Sequence, residues 1–413
     1  WGYWWSSDMK DWKFVSRKFL RPWNDVYDEL CAPASLVLGD SLLVIGSTYT
    51  KQFTLWYSTN PTKDDWHVAV DSFQVGAWDP GLFKDDDNRL YIYHGSSNFY
   101  PIYGQEIDRK TFAPIGERQS LIHLVDSIHG WERFGEHQDN TFLKPFMEGA
   151  WMNKKNGKYY LQYGAPGTEF SGYGDGVYVS DKPLGPFVYQ KHNPMSYKPG
   201  GFVIGAGHGN TFADNHGNYW NTGTCKISIK DRFERRIDMF PAGFDKDDVM
   251  YSITSYGDFP IILPTKQRNH TKGTSAGWML LSYKKSVMVS SFEECVEVET
   301  HRMDNGSNKV FEKFCYGPDN LTDENIQTYW SAKTANPNEW LQMDLGKTME
   351  INALQINFAD HNATQYNKAM DMYYQYQILM SNDAQNWTLV VDKSKNDKDV
   401  PHDYVELLQA YKA

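Results

Sequence analysis

Short segments that alternate apolar and polar residues run along the first two-thirds of the chain. Period-two alternation predicts β-strands, because successive side chains of a strand point to opposite faces. Polar turn residues of the kind that tight hairpins need precede each segment. The clearest examples are residues 39–44, 87–92, 156–161 and 216–220. No long segment has helical periodicity, so the pattern predicts an all-β chain.

A second motif closes several of these units and reads as an outer strand, a polar turn and an aromatic residue. It occurs at residues 7–12, 58–66 and 180–187. The units recur roughly every 50 to 70 residues, a spacing typical of four-stranded propeller blades with long loops. Four units lie between Leu30 and Pro264, and residues 1–12 read as the end of an earlier one. We therefore predict a five-bladed β-propeller whose first blade is incomplete; a β-sandwich is the competing all-β fold, which the repeat disfavours.

From about Gly277 the pattern changes. The new segments are residues 322–332, 340–346, 376–381 and 386–387. Together they resemble the discoidin (coagulation factor type C) domain, whose Thr-Tyr-Trp-Ser-Ala and Trp-Leu-x-x-Asp-Leu-Gly pair is present here. We predict two domains, the propeller at residues 1–276 and a discoidin-like β-sandwich (jelly roll) at 277–413. The resemblance implies a possible structural calcium ion, and we expect the natural chain to extend beyond both ends of this sequence.

Composition narrows the possible partners. Aromatic residues make up 15% of the chain, which suits both all-β packing and a sugar-binding surface and does not separate the two. The net charge of −11 argues against nucleic acid, whose phosphates need a basic face. No apolar run approaches the roughly 18 residues that a membrane-spanning helix needs. Cys295 and Cys315 flank a short polar segment and could pair.

Three residues that could carry chemistry occupy equivalent places in successive units. Asp79 and Glu148 lie just before predicted inner strands, and His208 lies at the start of the following unit. Inner strands of a propeller converge on its axis, so these side chains should meet there. Glycosidic cleavage generally uses two carboxyl groups. The acidic run at residues 85–87, by contrast, is expected to be a solvated turn.

The ordered set Asp79-Pro80, Glu148-Gly149 and residues 205–208 resembles the family 43 glycoside hydrolases, with Ala150 where proline is usual. That resemblance implies that Glu148 protonates the leaving oxygen. Asp79 would orient Glu148 and keep it protonated through like-charge repulsion. His208 would bind substrate or a hydrated ion. The general base would precede Trp1, outside this sequence.

Four further residues are candidates for substrate binding, each with ordinary packing or surface exposure as the alternative: Trp78, His94, Trp151 and Arg236. We predict an exo-acting, inverting glycoside hydrolase that needs no catalytic cofactor or metal. It would release a terminal arabinofuranoside, xyloside or galactoside from a plant or algal polysaccharide. We expect a secreted, periplasmic or cell-surface location. The alternatives are a non-catalytic glycan-binding protein and a related propeller enzyme that acts on anhydrosugar-containing glycans.

Overall fold

The computed structural model describes residues 3–15, 31–47, 53–75, 78–227, 235–269, 277–302, 308–359 and 373–413. Helical structure in these ranges is confined to short 3-10 turns, so the predicted all-β class is confirmed. Those turns are Pro61–Lys63, Gly130–Glu132, Thr254–Asp258 and Pro318–Leu321. Within the same ranges, no helix has the length and apolar character needed to cross a membrane.

Four antiparallel sheets follow one another along the first part of the chain, and we call them sheets A to D. Sheet A contains β3 (Cys31–Leu38), β4 (Ser41–Ser47), β5 (Leu55–Asn60) and β6 (Asp65–Val70). Sheet B contains β7 (Gly81–Lys84), β8 (Leu90–His94), β9 (Ile102–Ile107) and β10 (Pro114–Ile122). Sheet C contains β11 (Glu148–Lys155), β12 (Lys158–Ala165), β13 (Gly174–Ser180) and β14 (Val188–Tyr189). Sheet D contains β15 (Ile204–Gly207), β16 (Thr211–Ala213), β17 (Tyr219–Lys226), β18 (Arg235–Phe244) and β19 (Met250–Ser252).

The sheets are arranged as propeller blades. Their inner strands touch in sequence, with β3 against β7, β7 against β11 and β11 against β16, which pairs with β17 along the same edge as β15. A separate hairpin, β1 (Tyr3–Trp5) with β2 (Lys13–Val15), precedes sheet A. Since each inner strand contacts the next, the residues at the starts of these strands are brought toward a common region, as the repeat predicted.

Strand β8 shows why the blades stack. All of its residues are buried, and they alternate between two cores. Leu90 and Ile92 join the apolar cluster shared with sheet A, whereas Tyr91 and Tyr93 join the cluster shared with sheet C. Each fully buried side chain of this size contributes about 1.5–3 kcal/mol. Sheet B is therefore held on both faces, which fixes the ends of its strands.

The acidic run at residues 85–87 is only partly the solvated turn that was predicted. Asp86 and Asp87 are exposed in a turn, but the prediction is wrong for Asp85, whose side chain is only 2% exposed. Lys154 and Tyr159, from the neighbouring sheet C, both donate hydrogen bonds to its carboxylate, the first at 2.5 Å and the second at 2.6 Å. A residue in an acidic run has become part of a contact between two blades.

The C-terminal unit, residues 277–413, consists of paired strands. They are β20 (Ser286–Val289), β21 (Val296–Arg302), β22 (Asn308–Phe314), β23 (Leu341–Asp344), β24 (Glu350–Asn357), β25 (Gln377–Met380), β26 (Thr388–Asp392) and β27 (His402–Lys412). The pairs are β20 with β23, β21 with β22, β24 with β27, and β25 with β26. A disulfide joins Cys295 to Cys315, as the sequence allowed.

The C-terminal unit contacts sheet D of the propeller at the segment that leads into β15. The backbone N–H of Ile326 donates to the carbonyl of Phe202 at 2.9 Å. Glu324 lies close enough to Asp258 that burial and this like charge raise the pKa of Glu324. The predicted boundary after residue 276 adjoins residues 270–276, which lie outside the described part of the chain.

Candidate active site

Three of the predicted residues meet where the inner strands of sheets B, C and D begin or end. Asp79 precedes β7, Glu148 is the first residue of β11, and His208 follows β15. One ligand-type atom from each lies within 4.8 Å of the others. Three short motifs that lie far apart in the sequence therefore bring two carboxylates and an imidazole into one cluster.

The backbone at this cluster takes conformations that most residues avoid. Asp79 and His208 have positive φ angles of 54° and 52°. Gly149 has a φ of +68°, and a Cβ placed on it would lie 2.8 Å from Cδ2 of His208. Only glycine fits such a position without displacing the imidazole. Positive φ values at non-glycine residues concentrate at functional sites, where the surrounding structure maintains them.

Asp79 is a buried carboxyl, 6% exposed, at the back of the cluster. Its Oδ2 accepts the N–H of Gly149 at 3.3 Å and lies 3.9 Å from Nδ1 of His208. Burial raises the pKa of Asp79 to about 6; His208 lowers it and Glu148 raises it further. Asp79 consequently changes its charge near neutral pH, and it does so within reach of a second carboxylate.

Glu148 is held by two hydroxyl groups that the sequence did not indicate. Ser96 Oγ donates to Oε2 at 2.9 Å, and the Tyr173 hydroxyl donates to Oε1 at 2.5 Å. A side-chain hydrogen bond from Ser96 also lowers the pKa of Asp79, so Ser96 serves both carboxyl groups. Burial, followed by the charge of Glu148, raises the pKa of Tyr173 far above its ordinary value. Tyr173 therefore acts as a fixed donor to Glu148.

Asp175 is a second buried acid that sequence reasoning missed. Its Oδ2 accepts Nε2 of Gln162 at 2.8 Å and the N–H of Gly209 at 2.9 Å. Burial raises the pKa of Asp175 to about 7. Because Gly209 directly follows His208, this carboxyl fixes the backbone that carries the imidazole. Its only signal in the sequence is a position between two glycines, which is too common to identify it.

The other predicted residues are not part of the cluster of Asp79, Glu148 and His208. Trp78 is half-buried, and its carbonyl accepts the N–H of Gly95 at 2.8 Å. This hydrogen bond joins the residue before Asp79 to the residue after β8. His94 is 1% exposed and stacks on Tyr103, so its ring offers no surface to a ligand. Burial, with a smaller effect of Arg118, lowers the pKa of His94 to about 4.

Trp151 and Arg236 also make contacts of a structural kind. The indole N–H of Trp151 donates to the carbonyl of Thr211 at 2.8 Å, and its ring packs against the core shared by sheets A and B. Arg236 lies on β18, where its guanidinium donates to the carbonyl of Arg235 at 3.1 Å. Their assignment to substrate binding stays a prediction.

The arrangement supports proton transfer by paired carboxyl groups. Asp79 is buried, Glu148 is half-buried, and two hydroxyl groups hold Glu148 in place. Such a pair of carboxyl groups in different environments is typical of acid catalysis. The same trio of Asp79, Glu148 and His208 offers ligand atoms that a cation could use. A catalytic role follows more directly, because Ser96 and Tyr173 already orient Glu148.

Among characterised proteins, short stretches of the chain match enzymes that act on glycans. It is 33% identical over 134 residues to "Beta-xylosidase" of Xylanibacter ruminicola, which covers 27% of this chain and 39% of that protein. It is 32% identical over 139 residues to "Arabinoxylan arabinofuranohydrolase" of Bacillus subtilis (strain 168), covering 31% of this chain and 24% of that protein. The chain thus spans well under half the length of these relatives.

Solved structures share the fold at low identity. A protein titled "Glycoside hydrolase" aligns over 100% of this chain and 85% of its own, with a TM-score of 0.52 and 18% identity. An endo-1,4-beta-xylanase from Bacteroides thetaiotaomicron aligns over 61% of this chain and 84% of its own, with a TM-score of 0.51 and 22% identity.

Two family models match separate parts of the chain. The F5/8 type C domain model matches residues 305–409, within the C-terminal unit. The model for glycosyl hydrolases family 43 matches residues 1–232, which is more than half of the 413 residues and includes Asp79, Glu148 and His208. The chain, with its cluster of two carboxyl groups and a histidine between successive blades, belongs to glycosyl hydrolases family 43.

Proposed function

We propose that this chain is an exo-acting, inverting glycosidase that releases a terminal xyloside or arabinofuranoside, or a galactoside, from a polysaccharide. The observation that carries the proposal is that Asp79 and Glu148 lie side by side. Asp79 is buried and has a pKa of about 6, whereas Glu148 is held by hydrogen bonds from two hydroxyl groups. The names of the relatives include xylosidases, an arabinofuranohydrolase and a galactofuranosidase, which motivates these sugars.

Glu148 is the general acid in this proposal. It is half-buried and so partly open to solvent, whereas Asp79 is only 6% exposed. Glu148 gives its proton to the glycosidic oxygen as the bond from that oxygen to the anomeric carbon breaks. Asp79, whose ligand atom lies within 4.8 Å of that of Glu148, positions the acid.

Asp79 is not the general base of this scheme. In inverting enzymes the acid and base carboxyls stand roughly 6.5–9.5 Å apart to admit water. The ligand atoms of Asp79 and Glu148 lie within 4.8 Å of each other, which leaves no such room. A retaining enzyme would need the second carboxyl as nucleophile, but burial keeps Asp79 from the anomeric carbon. The base that takes a proton from water stays a prediction for a residue before Trp1.

The test is hydrolysis of a panel of aryl glycosides and oligosaccharides by the full-length natural protein and its Glu148→Gln variant. We expect release of one terminal sugar, with the variant losing activity most on substrates with poor leaving groups, which depend on protonation. Glu117→Gln, an exposed carboxyl on β10, is the matched control. Proton NMR of the first product distinguishes inversion from retention. No release, with glycan binding retained, would favour the glycan-binding protein instead.

We also propose that the hairpin β1–β2 belongs to a fifth blade. Tyr3 of the hairpin packs edge-on against Trp66 of β6 with ring centroids 5.7 Å apart. The indole N–H of Trp66 donates to the Tyr3 hydroxyl at 2.9 Å. These contacts support the proposal, because they hold the hairpin against sheet A. A structure of the full-length protein that put the hairpin outside a blade would contradict this.

A secreted, periplasmic or cell-surface location is part of the proposal. The Cys295–Cys315 disulfide favours an oxidising compartment, because cytosolic thiols are kept reduced. Mass spectrometry of protein from the native cells, alkylated before and after reduction, would show the bond. Free thiols at both positions would argue for a reducing compartment.

A further inference from the structure

Four exposed aromatic side chains lie on two neighbouring loops of sheets B and C, and we call them the aromatic rim. They are Phe99 (78% exposed), Tyr100 (69%), Phe142 (92%) and Phe146 (38%). The first two lie between β8 and β9, and the others between β10 and β11. Clusters of exposed apolar side chains on a soluble protein usually mark a binding surface.

The two loops are joined next to the proposed acid. The N–H of Ser97 donates to the carbonyl of Met147 at 3.2 Å, and the N–H of Met147 donates back at 3.0 Å. Ser96 and Glu148, the residues adjacent to this bridge, are themselves hydrogen-bonded. The two loops that carry the rim therefore meet directly beside Glu148, the residue that follows Met147.

The backbone beneath the rings is held in place. Ser97 Oγ accepts the N–H groups of Phe99 and Tyr100, both at 3.0 Å. On the other loop, Asn140 Oδ1 accepts the N–H of Phe142 at 3.0 Å, and the N–H of Phe146 donates to the carbonyl of Pro166 at 2.8 Å. A fixed backbone that leaves the rings uncovered reduces the entropy lost when a ligand binds.

The position of the acid decides which part of a substrate reaches the rim. A general acid contacts the oxygen that joins the terminal sugar to the rest of the glycan. The rest of the glycan must therefore extend on the side of Glu148, where the rim lies. Flat aromatic rings match the C–H faces of sugar rings and need no charge from the ligand.

We propose, on the basis of the function proposed above, that the aromatic rim binds the leaving-group portion of a neutral oligosaccharide or polysaccharide. The enzyme then prefers glycans with several sugar units beyond the scissile bond over disaccharides and small aryl glycosides. The rim supplies binding energy to the long substrate alone, because a short one ends before it reaches the rings.

The test compares 4-nitrophenyl β-D-xyloside with xylotetraose, and the corresponding arabinofuranoside pair, using the wild type and the variants Phe142→Ala and Phe99→Ala. We expect kcat/KM on the tetrasaccharide to fall about tenfold, the size expected for about 1.4 kcal/mol of lost ring contact. On the aryl glycoside the change should stay within about twofold, the scatter of exposed substitutions. Val188→Ala, an exposed apolar residue on β14, is the control for surface truncation.

The outcomes separate this inference from the function on which it rests. Equal losses on both substrates, or no loss on either, would overturn the role of the rim while leaving the glycosidase intact. A wild type that cleaves neither substrate would contradict the proposed function. In that case calorimetric titration with xylotetraose tests whether the aromatic rim binds glycan. Weaker binding by Phe142→Ala than by the wild type supports this role, and equal or absent binding overturns it.

Discussion

Replacing Asp79 by asparagine should stabilise the propeller at neutral pH even though it impairs catalysis. Burial raises the pKa of Asp79 from 3.8 to about 6 in the folded protein. A tenfold change in an acid constant corresponds to about 1.4 kcal/mol, so the ionised, folded carboxyl costs about 3 kcal/mol. The asparagine carries no charge and can still accept the N–H of Gly149.

The dependence on pH follows from the direction of the shift. A carboxyl whose pKa is higher in the folded protein favours folding below pH 3.8, and this contribution is lost as the pH rises through about 6. The free energy of unfolding of Asp79→Asn, relative to the wild type, should therefore rise by about 2.5 kcal/mol between pH 4 and pH 8, because part of the cost is already present at pH 4. Most of the rise should occur before about pH 6.5.

Urea unfolding followed by tryptophan fluorescence at pH 4, 5, 6, 7 and 8 measures this difference. Asp40→Asn, on the exposed turn between β3 and β4, is the matched control. A difference that is constant with pH would show that the substitution acts through shape rather than charge. No gain at pH 8 would refute the reasoning that burial of Asp79 has a cost.

Three further predictions concern the donor, the glycine and the disulfide. Tyr173→Phe should lower kcat/KM by roughly 10- to 100-fold, since Glu148 becomes charged as it gives up its proton and a hydrogen bond to a charged group contributes about 1.5–3 kcal/mol. Tyr91→Phe should be neutral by the same kinetics, because the buried Tyr91 hydroxyl has no hydrogen-bond partner among the described residues. Gly149→Ala should lower both activity and the unfolding free energy by more than Gly157→Ala, because both have positive φ but only the first Cβ meets the neighbouring imidazole. Replacing both cysteines of the disulfide by serine should cost the C-terminal unit about 3 kcal/mol in urea unfolding, from the chain entropy of a loop of this length.

The parts of the fold that follow from local pattern could be predicted from the sequence. The turn and apolar run at residues 87–92 became the turn before β8 and most of that strand, whose side chains alternate between two cores. Asp79, Glu148 and His208 could be chosen because their positions relative to strands repeat from blade to blade. A periodic architecture converts equal places in the sequence into neighbouring places in space.

Residues whose role depends on packing between blades could not be predicted. Ser96 and Tyr173 reach Glu148 from different strand ends, and neither stands in a distinctive pattern. His94 is a predicted substrate-binding residue, yet its ring is buried against Tyr103. Asp85 seemed solvated because acidic neighbours surround it, but side chains from sheet C cover it. In each case the deciding partner is distant in sequence.

The hydrogen bond from Ile326 to Phe202 bears on how the domains of this protein can be exchanged. Phe202 lies two residues before β15, the strand that ends beside His208. Deleting the C-terminal unit, or exchanging it for another domain, would remove support from the chain that leads to His208. A change of domain in this protein therefore also alters the propeller, and a truncated version should be compared with the full chain for the proposed activity as well as for glycan binding.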